Sequence, residues 1–342
     1  MENKNNSIFY AKAIGILLVV IAHVARGLFN AGVEMPPYYL LVDSIIYSFH
    51  MPLFFFLSGF FFYNSFKKRG GKIIISKIDT IVYPYILWSI IQGTIEVFLS
   101  NFTNDTVEYS EVFSLLWAPR AHFWFLYALF VIFILAVILF SILSPKATVG
   151  IFILSAFAYI YSLKMPDFFV LHYISQNFVF FVFGILFSIY FKIEKLSNLL
   201  IVCILGTIFL LGQFLFHRVL GLLYYQKGIT SLFLALISIL FILSLSSLAS
   251  SRPNKFFIFI GSSSLEIYLM HILAGSGLRI ILKNYFGIES FIIHLVLGSL
   301  FAIFAPLLAI IIIKKLKIPY MFSAPISNVM TFLSSKMLPK KQ

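Results

Sequence analysis

The feature that most constrains this chain is a succession of apolar runs, each about as long as a bilayer is thick. Roughly 20 predominantly apolar residues cross the hydrocarbon core as an α-helix. Ten such segments occur, at 8–29, 39–63, 78–99, 122–143, 148–163, 168–191, 198–216, 228–249, 256–280 and 290–313; the fifth is short and the ninth carries several polar residues. In lipid every backbone N–H and C=O must find its partner within the segment, which makes these runs helices. With 61% hydrophobic and 11% charged residues, the chain has too few polar groups to cover a water-facing surface, where a soluble domain carries about 25% charged residues. The expected fold class is an all-α integral membrane protein of about ten transmembrane helices.

Ten spans put both termini on one side, and the basic residues choose the side. With the N-terminus inside, seventeen of the 25 Lys and Arg residues fall on the cytoplasmic side and seven on the outer side, with Lys12 inside the first span. The long outer loop 100–121 carries Asp105, Glu108 and Glu111. The expected topology is N-in and C-in. The net charge of +13 then belongs to cytoplasmic loops, and no nucleic-acid partner is expected. The single cysteine, Cys203, lies in an apolar run, which excludes a disulfide framework and a Cys-based metal site. The first span holds Lys12 and His23 and does not read as a cleaved signal peptide. Neither an internal repeat nor a second domain is visible, so residues 1–342 read as one transmembrane domain with a short basic cytoplasmic tail at 314–342.

Ionisable groups inside spans are costly and are functional candidates by default. Lys12 and His23 are eleven residues apart, which on a helix returns to within about 20° of the same face over about 16 Å. Lys12 is either a snorkelling lysine or a channel-lining one; His23 is either an interhelical hydrogen-bond partner or a reactive base. In the second span Asp43, Tyr47 and His50 form one polar stripe beside Pro52 and Ser58-Gly59. Asp43, at a depth like that of His23, is the expected partner that orients it. The ninth span places Glu266, Tyr268 and His271 in GSSSLEIYLMH. No two of these histidines share helical ligand spacing, so no metal site is expected. His122 and Trp124 open the fourth span at the outer interface. His172, Gln176 and Asn177 polarise the sixth, and His217 and His294 read as interface or loop residues.

Five segments in order resemble the membrane-bound acyltransferase-3 family. They are the Lys12-to-His23 spacing, like that family's basic–x10–His opening motif; FHMPLFFFLSGFFF at 49–62; IVYPYILWSII at 81–91; HFWFLYALF at 122–130; and IGSSSLEIYLMHIL at 260–273. The resemblance covers essentially the whole chain and is nearest the fucose 4-O-acetylase-like branch. Two departures stand out: the opening basic residue is Lys12 where the family usually has Arg, and residues 1–342 are expected to hold no counterpart of the fused extracellular hydrolase-like domain of some members.

The resemblance implies a bacterial cell (inner) membrane O-acyltransferase with no permanently bound cofactor. Its acyl donor would be cytoplasmic acyl-CoA, usually acetyl-CoA, and its acceptor a hydroxyl of a surface glycan or lipid-linked precursor. The basic, Gly-rich loop KKRGGK at 67–72, with Lys68, Arg69 and Lys72, suits donor phosphates, together with Lys12. His23 suits proton removal from the acceptor hydroxyl, with Asp43 orienting it. His50, Ser58, His122, Trp124, Glu266, Tyr268 and His271 are the expected cavity residues. Ser58 is the only candidate acyl carrier, and SG there also suits close helix packing. The rival reading is a transporter or flippase, which predicts an internal repeat and interrupted helix pairs.

Overall fold

The structure is a computed structural model that describes residues 2–100, 108–166 and 168–328. Asp105 of the long loop and Lys336, Lys340 and Lys341 of the tail lie outside the described residues. Among the described residues there is no β-strand. The helices are α1 (Glu2–Asn30), α2 (Tyr39–Tyr47), α3 (His50–Arg69), α4 (Ile73–Lys77), α5 (Tyr83–Phe98), α6 (Tyr109–Phe113), α7 (Trp124–Ile142), α8 (Thr148–Ile160), α9 (Phe169–Tyr190), α10 (Leu199–Phe214), α11 (Ile229–Ala249), α12 (Lys255–Ser262), α13 (Ser264–Asn284) and α14 (Phe291–Lys315).

The protein is an all-α integral membrane protein. Among the described residues, eight helical runs are long and apolar enough to cross a bilayer. One of them, Tyr39–Phe98, contains two of the expected segments, and the shorter apolar helix Pro145–Ile160 holds most of another. Each of the ten expected segments is therefore helical to within a few residues.

Two expected segments are broken in ways the sequence explains. The segment 39–63 divides at Ser48 into α2 and α3. Pro52 lies four residues on: it has no N–H for the Ser48 carbonyl, and its ring crowds that oxygen. Within the first turn of α3 the proline is tolerated, because those N–H groups have no intrahelical partner in any case. The segment 256–280 divides at Ser263, inside the serine triplet Ser262–Ser264. Serines there offer the backbone competing hydrogen bonds, and Ser262 Oγ donates to Phe259 O at 3.0 Å.

The described chain forms two compact units, Met1–Tyr63 with Lys146–Ile310, and Asn64–Pro145 with Ile311–Gln342. In the first, α1 is the hub and packs against α2, α11, α12 and α13, while α8 pairs with α9 and α10 with α11. Ala11, Ala13, Ile16, Val19 and Val20 of α1 are buried there. Two crossings bring backbones together. A Cβ at Gly59 would lie 1.9 Å from Phe181 O, and one at Gly184 would lie 2.0 Å from Phe56 O, so α3 and α9 touch through a glycine pair. Likewise a Cβ at Gly261 would lie 1.9 Å from Phe9 O, which lets α12 press against α1. Close approach through small residues is how helices gain van der Waals contact in a solvent that supplies no hydrophobic drive.

In the second unit α7 packs on α4 and α5 on α6. The segment after α14 is held to this unit: Tyr83 and Trp88 donate to the carbonyls of Tyr320 and Met321, each at 2.8 Å. Asp79 accepts from the backbone N–H and the hydroxyl of Ser327. The first part of the expected tail thus docks on its own unit rather than trailing from it.

Candidate functional site

The site begins at one hydrogen bond in the first unit. His23 Nδ1 of α1 lies 2.8 Å from His271 Nε2 of α13, with the rings stacked at 5.0 Å. His271 Nδ1 lies 2.7 Å from Tyr268 O and 3.2 Å from Ile267 O, the carbonyls of its own preceding turn. A carbonyl can only accept, so Nδ1 carries the single proton of the neutral His271 ring and Nε2 is an acceptor. His23 must then donate from Nδ1, and its Nε2 keeps the lone pair of the neutral imidazole. Helix geometry reaching back from α13 thereby sets the tautomer of a histidine on α1. That tautomer leaves a base at Nε2, with a neighbour able to share the positive charge that protonation creates.

Asp43 does not take the part expected of it. Both of its oxygens accept from Arg26, at 2.8 Å from Nε and 2.8 Å from Nη2. Arg26 is three residues after His23 on α1, and its guanidinium stacks 3.3 Å over the Tyr47 ring, with the Tyr224 ring at 5.1 Å. A planar guanidinium matches a carboxylate at both oxygens and stacks on an aromatic face, so it outcompetes a neutral imidazole for Asp43. Asp43 is the counter-ion of Arg26, and His271 is what orients His23.

Further polar contacts tie the loop after α10 to α2. Tyr224 N donates to Ser44 Oγ at 2.8 Å, and Gln213 Nε2 to Ser48 Oγ at 3.2 Å. Lys227 donates to Tyr224 O at 2.8 Å, and burial pushes its ammonium down to about 8. His50 is fully buried and donates from Nδ1 to Ile46 O at 2.8 Å, with its ring edge-on to Tyr47. Ser58 Oγ donates back to Phe54 O at 2.8 Å in its own helix, beside the Gly59 crossing. Lys12 lies 5.8 Å from the Phe61 ring centroid and is attracted by Glu266 of α13. The Tyr268 ring lies 6.1 Å from that of His271.

The second unit holds the remaining expected residues. Lys68, Arg69 and Lys72 are exposed around the turn Gly70–Lys72. His122 is buried with its ring against Phe123, and Trp124 contacts Phe125. Among the described residues no group of three His, Cys, Asp or Glu is placed to hold a metal ion.

The chain matches the acyltransferase domain family, Acyl_transf_3, over residues 5–314. It belongs to that family. The match runs through segments of both units. Nodulation protein NolL of Mesorhizobium japonicum is 27% identical over 164 residues, which is 46% of this chain and 40% of NolL. The chain thus spans well under half the length of that relative. No solved structure matches.

Three residues of the chain gain importance only in three dimensions. Arg26 and Arg279 count in the sequence as outer basic charges, and His294 as an interface residue. Arg279 instead donates to Gly27 O, one turn beyond His23. His294 is 1% exposed and lines a small cavity together with His23, His271 and Arg279. Their signal in the sequence was simple presence: a basic or imidazole group within an apolar run. In the second unit Arg120 and Glu111, expected as loop charges, join a partly exposed charged cluster. There Arg120 pairs with Glu96 at 3.2 Å, and Glu96 accepts from Gln92 at 2.8 Å.

Proposed function

We propose that this multi-pass membrane acyltransferase is an O-acyltransferase of a bacterial cell (inner) membrane. It moves an acetyl group from cytoplasmic acetyl-CoA to a hydroxyl of a cell-surface polysaccharide or its lipid-linked precursor. The chain crosses the membrane ten times, N-in and C-in, and residues 1–342 act as one catalytic domain. The observation that carries the reading is the His23–His271 pair, with its tautomers set by the Tyr268 carbonyl.

In this reading His23 Nε2 accepts the proton of the acceptor hydroxyl as that oxygen bonds to the thioester carbonyl carbon. The imidazolium so formed keeps its Nδ1–H on His271 Nε2, and the pair shares the charge. When the tetrahedral intermediate collapses, the C–S bond breaks and the coenzyme A thiolate recovers the proton. No acyl-enzyme is needed, and the intrahelical bond of Ser58 to Phe54 O supports direct transfer. Lys12 lines the way between the donor side and His23, and Lys68, Arg69 and Lys72 receive donor phosphates.

The test is transfer of radiolabel from [14C]acetyl-CoA to glycan in membranes containing the protein, paired with mass spectrometry of the host's surface glycans with and without the gene. The expected result is label in glycan and loss of an acetyl mass on deletion. Glycans of unchanged mass together with unlabelled membranes would refute the reading.

A further inference from the structure

Beside His23 lies a cavity that the acyl-transfer reading leaves without a role. It sits in the first unit between α1, α13 and α14, and His23, Gly27, His271, Arg279 and His294 are among its walls. Its volume is about 20 Å³, where roughly 10–15 Å³ admits one water molecule. The space takes a single oxygen and is too small for a phosphate.

Two of its walls are polar groups with unmet capacity. His294 is 1% exposed and gives its Nε2–H to Ile288 O at 2.7 Å. Its Nδ1 is therefore a lone-pair acceptor, and that atom is buried with no hydrogen-bond partner, a rare condition for a buried polar group. Arg279 is 9% exposed and donates one N–H to Gly27 O. Among the described residues no carboxylate lies within 4 Å of its guanidinium. A Cβ at Gly27 would lie 2.8 Å from the Arg279 guanidinium, so the glycine is what admits the cation there.

Arg279 and His294 both line this oxygen-sized space, and a donor and an acceptor together are the complement of a hydroxyl group, which takes one hydrogen bond and gives one. A bare anion would meet the His294 lone pair, and an apolar group would satisfy neither wall. We propose that this cavity is a hydroxyl-recognition subsite. A second hydroxyl of the acceptor accepts from Arg279 and donates to His294 Nδ1, while the reacting hydroxyl donates to His23. Because His23 is itself a wall of the cavity, the two hydroxyls are neighbours, and the acceptor is a vicinal diol such as a pyranose ring presents. This rests on the acyl-transfer reading and adds to it the feature by which the acceptor is chosen.

The test uses membranes with the full-length protein, [14C]acetyl-CoA as donor and the host's chemically deacetylated surface polysaccharide as acceptor. His294→Gln keeps an amide N–H for Ile288 O and removes the acceptor from the cavity; His294→Asn does the reverse. His294→Gln is expected to raise the acceptor KM about 10- to 100-fold with the acetyl-CoA KM unchanged, and His294→Asn to raise it less. NMR of the wild-type product, which needs no variant to fold, is expected to place the acetyl on a carbon whose ring neighbour bears an unsubstituted hydroxyl.

The subsite is overturned by an unchanged acceptor KM in His294→Gln, or by His294→Asn as the more damaged variant, which would assign the ring to holding the turn at Ile288. An acetylated carbon without a hydroxyl neighbour would overturn it as well. Wild-type transfer with any of these results ends the subsite alone. Wild-type membranes that move no label end the acyl-transfer reading and the subsite with it.

Discussion

At the residue scale the proposed chemistry turns on which nitrogen of His23 carries the proton. An isolated histidine can present either nitrogen, and the carbonyl of Tyr268, acting through His271, decides between them. His23→Ala removes the base and is expected to lower the transfer rate by roughly 10²–10⁴-fold with protein level unchanged; purified variant working near the wild-type rate would sink the assignment. His271→Ala removes only the orienting partner, and a loss of about 10–100-fold in kcat with little change in acetyl-CoA KM is expected. A loss confined to KM would mean that His271 shapes the cavity and does not set the tautomer. Asp43→Asn acts differently. It leaves Arg26 without its counter-ion and should cost roughly 1–3 kcal/mol of stability, read as a lower Tm in detergent. Normal stability with lost activity would return Asp43 to the chemistry.

At the scale of elements, three crossings hold the first unit in register. Gly59 with Gly184 joins α3 to α9, Gly261 joins α12 to α1, and Gly27 lets the Arg279 side chain of α13 reach α1. The first two oppose backbone to backbone, where no side chain can swing aside. Gly261→Ala is therefore expected to destabilise by about 1–3 kcal/mol or more, measurable as a drop in Tm or in folded yield. Gly277→Ala is the control, since a Cβ there meets nothing within 4 Å. Equal stability of the two variants would show that α12 does not press on α1 as described. The break at Ser48 matters at this scale too. It ends α2 where Gln213 reaches Ser48, and it frees α3 to start at His50.

At the scale of the whole molecule, topology carries the expectation of where donor and acceptor meet. Reporter fusions after residue 70 and at the C-terminus are expected to report the cytoplasm, and one near residue 110 the outside. A cytoplasmic signal at 110 would reverse the assignment of Lys68, Arg69 and Lys72 to the donor side. Replacing those three by Gln is expected to raise the KM for acetyl-CoA with the acceptor KM unchanged. A change only in the acceptor KM would remove this loop from donor binding.

The helical fold class and the approximate position of each apolar helical run were legible in the amino-acid order, because span length and apolar content are local properties and bilayer thickness is a fixed ruler. The break before Pro52 was not expected from the apolar pattern, which runs unbroken from 39 to 63, although the cause is local, since a proline acts on a carbonyl four residues away. His23 and Lys12 stood out as ionisable groups sharing one face of an apolar helix. Their partners were not legible. Whether His23 meets Asp43 or His271 depends on how α1 is rotated against α2 and α13, and on Arg26 three residues along taking both oxygens of the carboxylate. Arg279 acquires meaning only because Gly27 removes a side chain where α13 reaches α1, and His294 only because α14 brings it to the same cavity. Side-chain partners across helices are set by rotation and close approach, which a one-dimensional pattern of apolar and polar residues does not contain.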